Sequence, residues 1–373
     1  MRQPSHSSPG TAPDRHPALD YRPPRRLRAA KWAIGAAIGG IVLGALYMGF
    51  WNYAAELARD SVLDWMEARR QEGAVVGFER LNIGGFPSYL RLVIDRPAMS
   101  WPNADAPWGW ETDQLTAEMR PWNFRQIVLL APGRHAVSWT TGGIGRTAKG
   151  AVRDLRAKVD LDGGRPVAGH IDARAADFAG DGGLDRLTLE RAAADFRCMP
   201  VVDADDRTPV ADVRVTAHEI GLPSGWGLPL GAEVAAIRLD ATVLGNLPFG
   251  PLVDLLGGWR DDGGTVEVRQ LDLTYGPLAL AANGTLALDE ALQPIGAFTA
   301  RIEGFFETVD ALRTRGAIRS QDAVTAKMVL GILAKRNDAG RISLAVPLTL
   351  QDRRLYVGPV PLAEVPPIRW QGR

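Results

Sequence analysis

The chain has 373 residues, 46% of them hydrophobic, with 43 Lys and Arg against 43 Asp and Glu. That length and apolar content can bury a sizeable core, which excludes a wholly disordered protein, and a formal net charge of zero excludes a uniformly basic nucleic-acid binder. The one cysteine, Cys198, excludes an intramolecular disulfide and a cysteine-cluster metal site.

Residues 1–31 read as a disordered tail rich in Pro, Ser and Arg, with too little apolar surface to offset its ordering entropy. An uncharged run follows over residues 32–55. At about 1.5 Å per residue it is long enough to cross a hydrocarbon core of roughly 30 Å. Arg25, Arg26, Arg28 and Lys31 precede it, and Glu56, Arg59 and Asp60 follow. The positive-inside rule then puts the tail in the cytoplasm and the rest of the chain outside. Trp32 at one end, and Phe50, Trp51 and Tyr53 at the other, are placed as interfacial aromatics. No small-residue cleavage site follows the run, so the reading is an uncleaved anchor and not a signal peptide. Gly35 with Gly39, and Gly40 with Gly44, have the spacing that lets two spanning helices approach in a homodimer.

Residues 56–73 continue as an amphipathic helix with Leu57, Ser61, Val62, Trp65 and Met66 on one side and Gly73 as its stop. From residue 74 to 373 the pattern is mainly β. Alternation is clear at Leu90, Leu92 and Ile94, at Val266 and Val268, and at Leu271 and Leu273. The strictest run is Ile342, Leu344, Val346, Leu348 and Leu350. Gly142-Gly143, Asp162-Gly163-Gly164, Asp181-Gly182-Gly183 and Asp262-Gly263-Gly264 supply hairpin turns. Helical stretches are expected at 252–256, at 305–313 (Phe305, Val309 and Leu312 on one face) and at 321–335. In the last, Ser320 is the expected N-cap and Val324, Met328 and Ile332 recur every four residues. The expected fold is a large curved antiparallel β-meander (α+β, mainly β) with two or three covering helices behind a single spanning helix.

Four motifs carry a family resemblance. Gly84-Gly85-Phe86-Pro87-Ser88-Tyr89-Leu90 follows the outward helix, Asn283-Gly284-Thr285-Leu286 and then Val346-Pro347-Leu348-Thr349-Leu350-Gln351 lie in the C-terminal half, and Tyr356-Val357-Gly358-Pro359-Val360-Pro361 comes near the end. In this order, behind an anchor, they resemble the proteobacterial family catalogued as domain of unknown function 2125, over nearly the whole chain beyond the tail. The resemblance brings no reaction with it. More remotely, the anchor, strand and Gly-Phe-Pro turn resemble AsmA-like envelope proteins, which implies a β-rich periplasmic domain and the carriage of lipid along an apolar groove. By residue chemistry alone, Gly84, Gly85, Phe86 and Pro87 make a sharp bend with Phe86 tucked beneath it.

No catalytic constellation emerges. His6, His16, His135, His170 and His218 are never within four residues of one another, which gives no helical metal pair. Ser224 lacks the nucleophile-elbow spacing, and Gly142–Arg146 lacks the phosphate-loop ending. Asp160–Gly163 and Asp203–Asp206 read as solvated turns, since neither continues into a calcium loop. No metal or cofactor is called for. Trp101, Trp108, Trp110, Trp122 and Trp139 crowd one stretch, either as a stacking or apolar surface or as packing between neighbouring strands. The function expected is a non-enzymatic inner-membrane-anchored envelope protein that holds a lipid or acyl chain in an apolar groove. The alternatives are a scaffold for other envelope proteins and a glycan-acting enzyme. The neutral total conceals a charge step: residues 1–31 hold seven basic and two acidic residues, the remainder 36 basic and 41 acidic.

Overall fold

The computed structural model describes residues 25–104, 107–141, 143–199, 201, 205–247, 252–336, 340, 342–357, 360–368 and 370. Two units divide the chain, Met1–Tyr53 and Ala54–Arg373. Helix α1 (Arg25–Gln71) accounts for the described part of the first unit and opens the second. It starts earlier than expected, so Arg25, Arg26, Arg28 and Lys31 are helical and not part of a tail. Every residue from Arg25 to Lys31 is a strong helix former. The rest of the expected tail, residues 1–24, lies outside the described residues. α1 closes as the sequence suggests: Gly73 has φ +92° and its N–H donates to Arg70 O at 2.9 Å.

In the second unit, the buried side of α1 is Ala58, Val62 and Met66, while Leu57 and Trp65 are 49% and 48% exposed. Of the expected face, Val62 and Met66 are therefore on the buried side, while Leu57, Ser61 and Trp65 are exposed. At about 100° per residue, Leu57, Ser61 and Trp65 form the stripe next to the buried one.

The strands are all antiparallel and join in one sheet of 20. Short ones come first: β1 (Val75–Gly77), β2 (Arg80–Gly84), β3 (Leu90–Asp95), β4 (Ala98–Trp101), β5 (Trp108–Thr112), β6 (Gln114–Arg120), β7 (Asn123–Leu130) and β8 (Gly133–Thr141). Long ones follow: β9 (Ile144–Asp162), β10 (Arg165–Gly180), β11 (Leu187–Cys198), β12 (Pro209–Gly221), β13 (Glu233–Leu244), β14 (Thr265–Tyr275), β15 (Leu278–Leu288) and β16 (Pro294–Glu303). The last are β17 (Lys335–Arg336), β18 (Ile342–Gln351), β19 (Arg354–Val357) and β20 (Val360–Glu364). From β9 to β16 each strand pairs with the next, and β16 pairs with β18. The 19 residues of β9 also carry two branches on their other edge. Residues 144–152 pair with β8, which leads to β5, β4 and β1; residues 156–160 pair with β7, which leads to β6, β3 and β2.

The sheet is open and uncurled, where curvature was expected. A meander of consecutive hairpins keeps adding strands outward, and among the described residues no pairing joins a late strand back to an early one. Its covering helices are α2 (Leu252–Asp261), α3 (Phe305–Thr314) and α4 (Ser320–Leu333). Asp262-Gly263-Gly264 is not a hairpin turn but the end of α2. Gly263 and Gly264 donate to Arg260 O and Trp259 O at 3.0 and 2.8 Å, and the Trp259 ring occupies the space a Cβ on Gly264 would need.

Two further expectations change at the late helices. Ser320 is the first residue of α4 and not its cap, since Arg319 holds that place with extended backbone. Val324, Met328 and Ile332 point outward, at 61, 66 and 79% exposed. The inward face is Ala323, Lys327, Leu330 and Ala334, a regular helical spacing that a lysine disguises. Lys327 Nζ reaches Asp310 Oδ2 on α3 at 2.5 Å.

Candidate apolar binding face

The sheet has one apolar and one charged face because apolar residues fall into register row by row. One row runs Ile127, Val159, Gly169, Phe196, Val213, Ala241, Val268, Gly284, Phe298, Leu348 across ten strands. The next runs Leu129, Ala157, Ile171, Ala194, Val215, Leu239, Leu271, Ala282, Ala300, Val346. With side chains alternating along each strand, these rows share a face.

The two ends of this face differ in cover. Over β15, β16 and β18, Phe305 and Phe306 of α3 and Leu330 of α4 pack on Ala282, Ala300, Leu344 and Val346, and Ala300 is 0% exposed. Over β9 to β12 the same rows are only half-buried, and Ile171 is 40% exposed. Apolar surface left in water costs roughly 25 cal/mol per Å². A half-buried apolar strip in the middle of a sheet is a candidate contact surface.

Two devices shape the strip. Phe196 lies across its partner Gly169, where a Cβ would fall 2.3 Å from the ring; at Gly284 a Cβ would first meet the Ala297 carbonyl and then its partner Phe298. Without side chains beneath them the rings lie against the backbone and keep the floor shallow. The second device is a phase slip. Rows Leu155, Ala173, Ala192, Ala217, Ile237 and Val152, Ala176, Leu189, Ile220, Val234 are three residues apart on every strand, not two. Ala175 and Glu219 take positive φ (49° and 52°) between them, which resets the alternation so that both rows stay on the apolar side. The slip ends at β14, where a register shift between Val234 and Ala236 absorbs the extra residue.

The opposite face is charged, with the row Lys158, His170, Asp195, Arg214, Asp240 and Gln270. Arg214 donates to Asp240 Oδ2 at 2.9 Å; Arg269 also bonds Asp240 and reaches Asp212 Oδ1 at 3.0 Å. The Arg269 and Arg214 guanidiniums hold the Asp240 carboxyl below the usual carboxylate range. Thr242 and then Arg269 hold Asp212 down against the opposing effect of burial. His170 Nδ1 sits 2.7 Å from Asp195, with both side chains about half exposed. Among the described residues, no three His, Cys, Asp or Glu side chains group as metal ligands.

Four of the five singled-out tryptophans come together on the β8 branch, all half-buried. Trp101 stacks on Trp108 (5.0 Å between centroids), Trp108 pairs with Trp139, and Trp110 Nε1 donates to His135 Nδ1 at 3.3 Å. Trp122, 60% exposed, is in the β6–β7 turn of the other branch. Phe86 is 49% exposed and does not tuck beneath its turn. Gly85, at φ +95°, lies so close to the Tyr89 main chain that backbone fills the space. On α1, Trp32, Phe50 and Tyr53 are exposed, while Trp51 is buried. A Cβ on Gly35, Gly39, Gly40 or Gly44 would meet nothing within 4 Å. The register rows were missed in the sequence; their signal was the three-position step from Val268 to Leu271, between two alternating pairs.

The model of a bacterial family described as "Uncharacterized protein conserved in bacteria (DUF2125)" matches residues 51–366. No curated protein and no solved structure matches the chain.

Proposed function

We propose, for a chain that belongs to this DUF2125 family of bacteria, that the sheet is a non-enzymatic, membrane-tethered carrier surface for acyl chains. The uncovered apolar strip over β9 to β12 carries this reading: its half-buried rows end at a capped stretch under α3 and α4. A linear hydrocarbon fits a shallow floor several strands wide and needs no directional partner. α1 supports the tether, since its apolar side chains lie bare: Trp32 is 81% and Ile41 72% exposed. Among the described residues it is the one helix long and apolar enough to cross a bilayer. The basic flank before Trp32 orients the sheet to the periplasmic side of an inner membrane. A scaffold role would suit a filled, closed sandwich better than a sheet with a half-open apolar face.

The test uses the full chain in mild detergent with a photoactivatable phospholipid. Crosslinks are expected on peptides of β10 and β11, around Ile171 and Phe196. The reading fails if I171E with V215E crosslinks as strongly as the wild type while staying folded.

A further inference from the structure

We infer that the outer side of α4 is a docking surface for an anionic phospholipid bilayer, separate from the apolar sheet face. Val324, Met328 and Ile332 form a stripe that spans about 12 Å along the helix. They are 61, 66 and 79% exposed, although Ala323, Lys327 and Leu330 already fasten the helix inward. An apolar stripe turned outward on a helix that is packed on its other side is the pattern of an interfacial helix. Thr325, beside the stripe, donates its hydroxyl to Gln321 O at 3.1 Å, so it adds no unsatisfied polar group to a surface entering lipid.

Charge selects the occupant. Residues 305–336 hold six basic residues and three acidic ones, in a chain whose residues beyond 31 are acidic in sum. Arg315 and Arg319 before the helix, and Lys335 and Arg336 after it, are all exposed. They bracket the stripe at both ends, while Lys327 and Asp310 neutralise each other on the inner side. Apolar residues between basic ends match a bilayer surface, where hydrocarbon lies below anionic headgroups. Another copy of this segment would set basic ends against basic ends.

The experiment places a spin label at M328C in full-length C198S protein, in nanodiscs of phosphatidylcholine alone or with phosphatidylglycerol. Met328 is mostly exposed, so the label displaces no packing. The label is expected to become accessible to oxygen and shielded from a water-soluble relaxant when phosphatidylglycerol is present. R319E with K335E is expected to cut the shielded fraction about fivefold or more. A label at D322C, outside the stripe, should stay wet in both discs. The inference is overturned if the 328 label is equally wet in both lipids. It is also overturned if shielding follows protein concentration and not lipid charge, which would make the occupant a second copy.

Discussion

At the residue scale, the firmest constraint is glycine beneath a ring. Gly169 has no room for a methyl, because the would-be Cβ lies 2.3 Å from Phe196 Cε1. G169A is therefore expected to cost about 1–3 kcal/mol through overpacking. Adding F196A should recover part of that cost, a coupling that denaturant titration of the two single variants and the double variant measures. Asp240 is the second informative residue, 9% exposed and bonded by Arg214 and Arg269. Its carboxyl titrates below the ordinary value of 3.8, so the ionised form is favoured by folding. A lowered acid contributes its stability above the unfolded value and loses it as pH falls through the folded one. D240N should thus be less stable than the wild type by about 1–3 kcal/mol at neutral pH. The gap should narrow only as pH drops below 3.8. Thermal melts across that range check both statements.

At the element scale, strand existence was legible, and phase was legible only where the strand is regular. Leu90 and Leu92 announced a buried face and are 0% and 1% exposed; Leu344, Val346 and Leu348 did the same. Alternation is a local signal, and it survives wherever the strand is regular. The slip at Ala175 and Glu219 is a property of five strands together, so no single window shows it. α4 failed for a different reason. Its inward face contains Lys327, whose charge is neutralised only by Asp310 from another helix, and the sequence pattern therefore pointed to the wrong side. The tryptophan group was legible as a cluster, but its geometry depended on β5 pairing with both β4 and β8. The slip makes its own prediction. Glu219 pays for a backbone at φ 52°, which glycine adopts freely and valine resists. E219G should be neutral or stabilising by up to about 1 kcal/mol, whereas E219V should destabilise by more than that. Equilibrium unfolding of the pair separates a required backbone conformation from a required carboxylate.

At the scale of the molecule, the sheet is a gradient from half-open to sealed. An open antiparallel sheet normally solvates one face and buries the other. Here Asp240, Arg214 and Arg269 make the solvated face, while the other is buried under α3 and α4 and at Ala241 and Val268, and half-open along the two rows over β9 to β12. A glutamate placed along one register row reads that gradient directly. Ile171 and Val346 lie on the same row, at 40% and 7% exposed. V346E buries an unpaired carboxylate against Phe305 and Leu344, which is expected to cost about 3 kcal/mol or more and to abolish a cooperative melt. I171E keeps its charge in water and should change stability by less than about 1 kcal/mol. If the open strip carries acyl chains, I171E alone should lose phospholipid crosslinking while keeping the wild-type melt. Equal destabilisation by the two variants would mean that something covers the strip after all, and the carrier reading would fall with it.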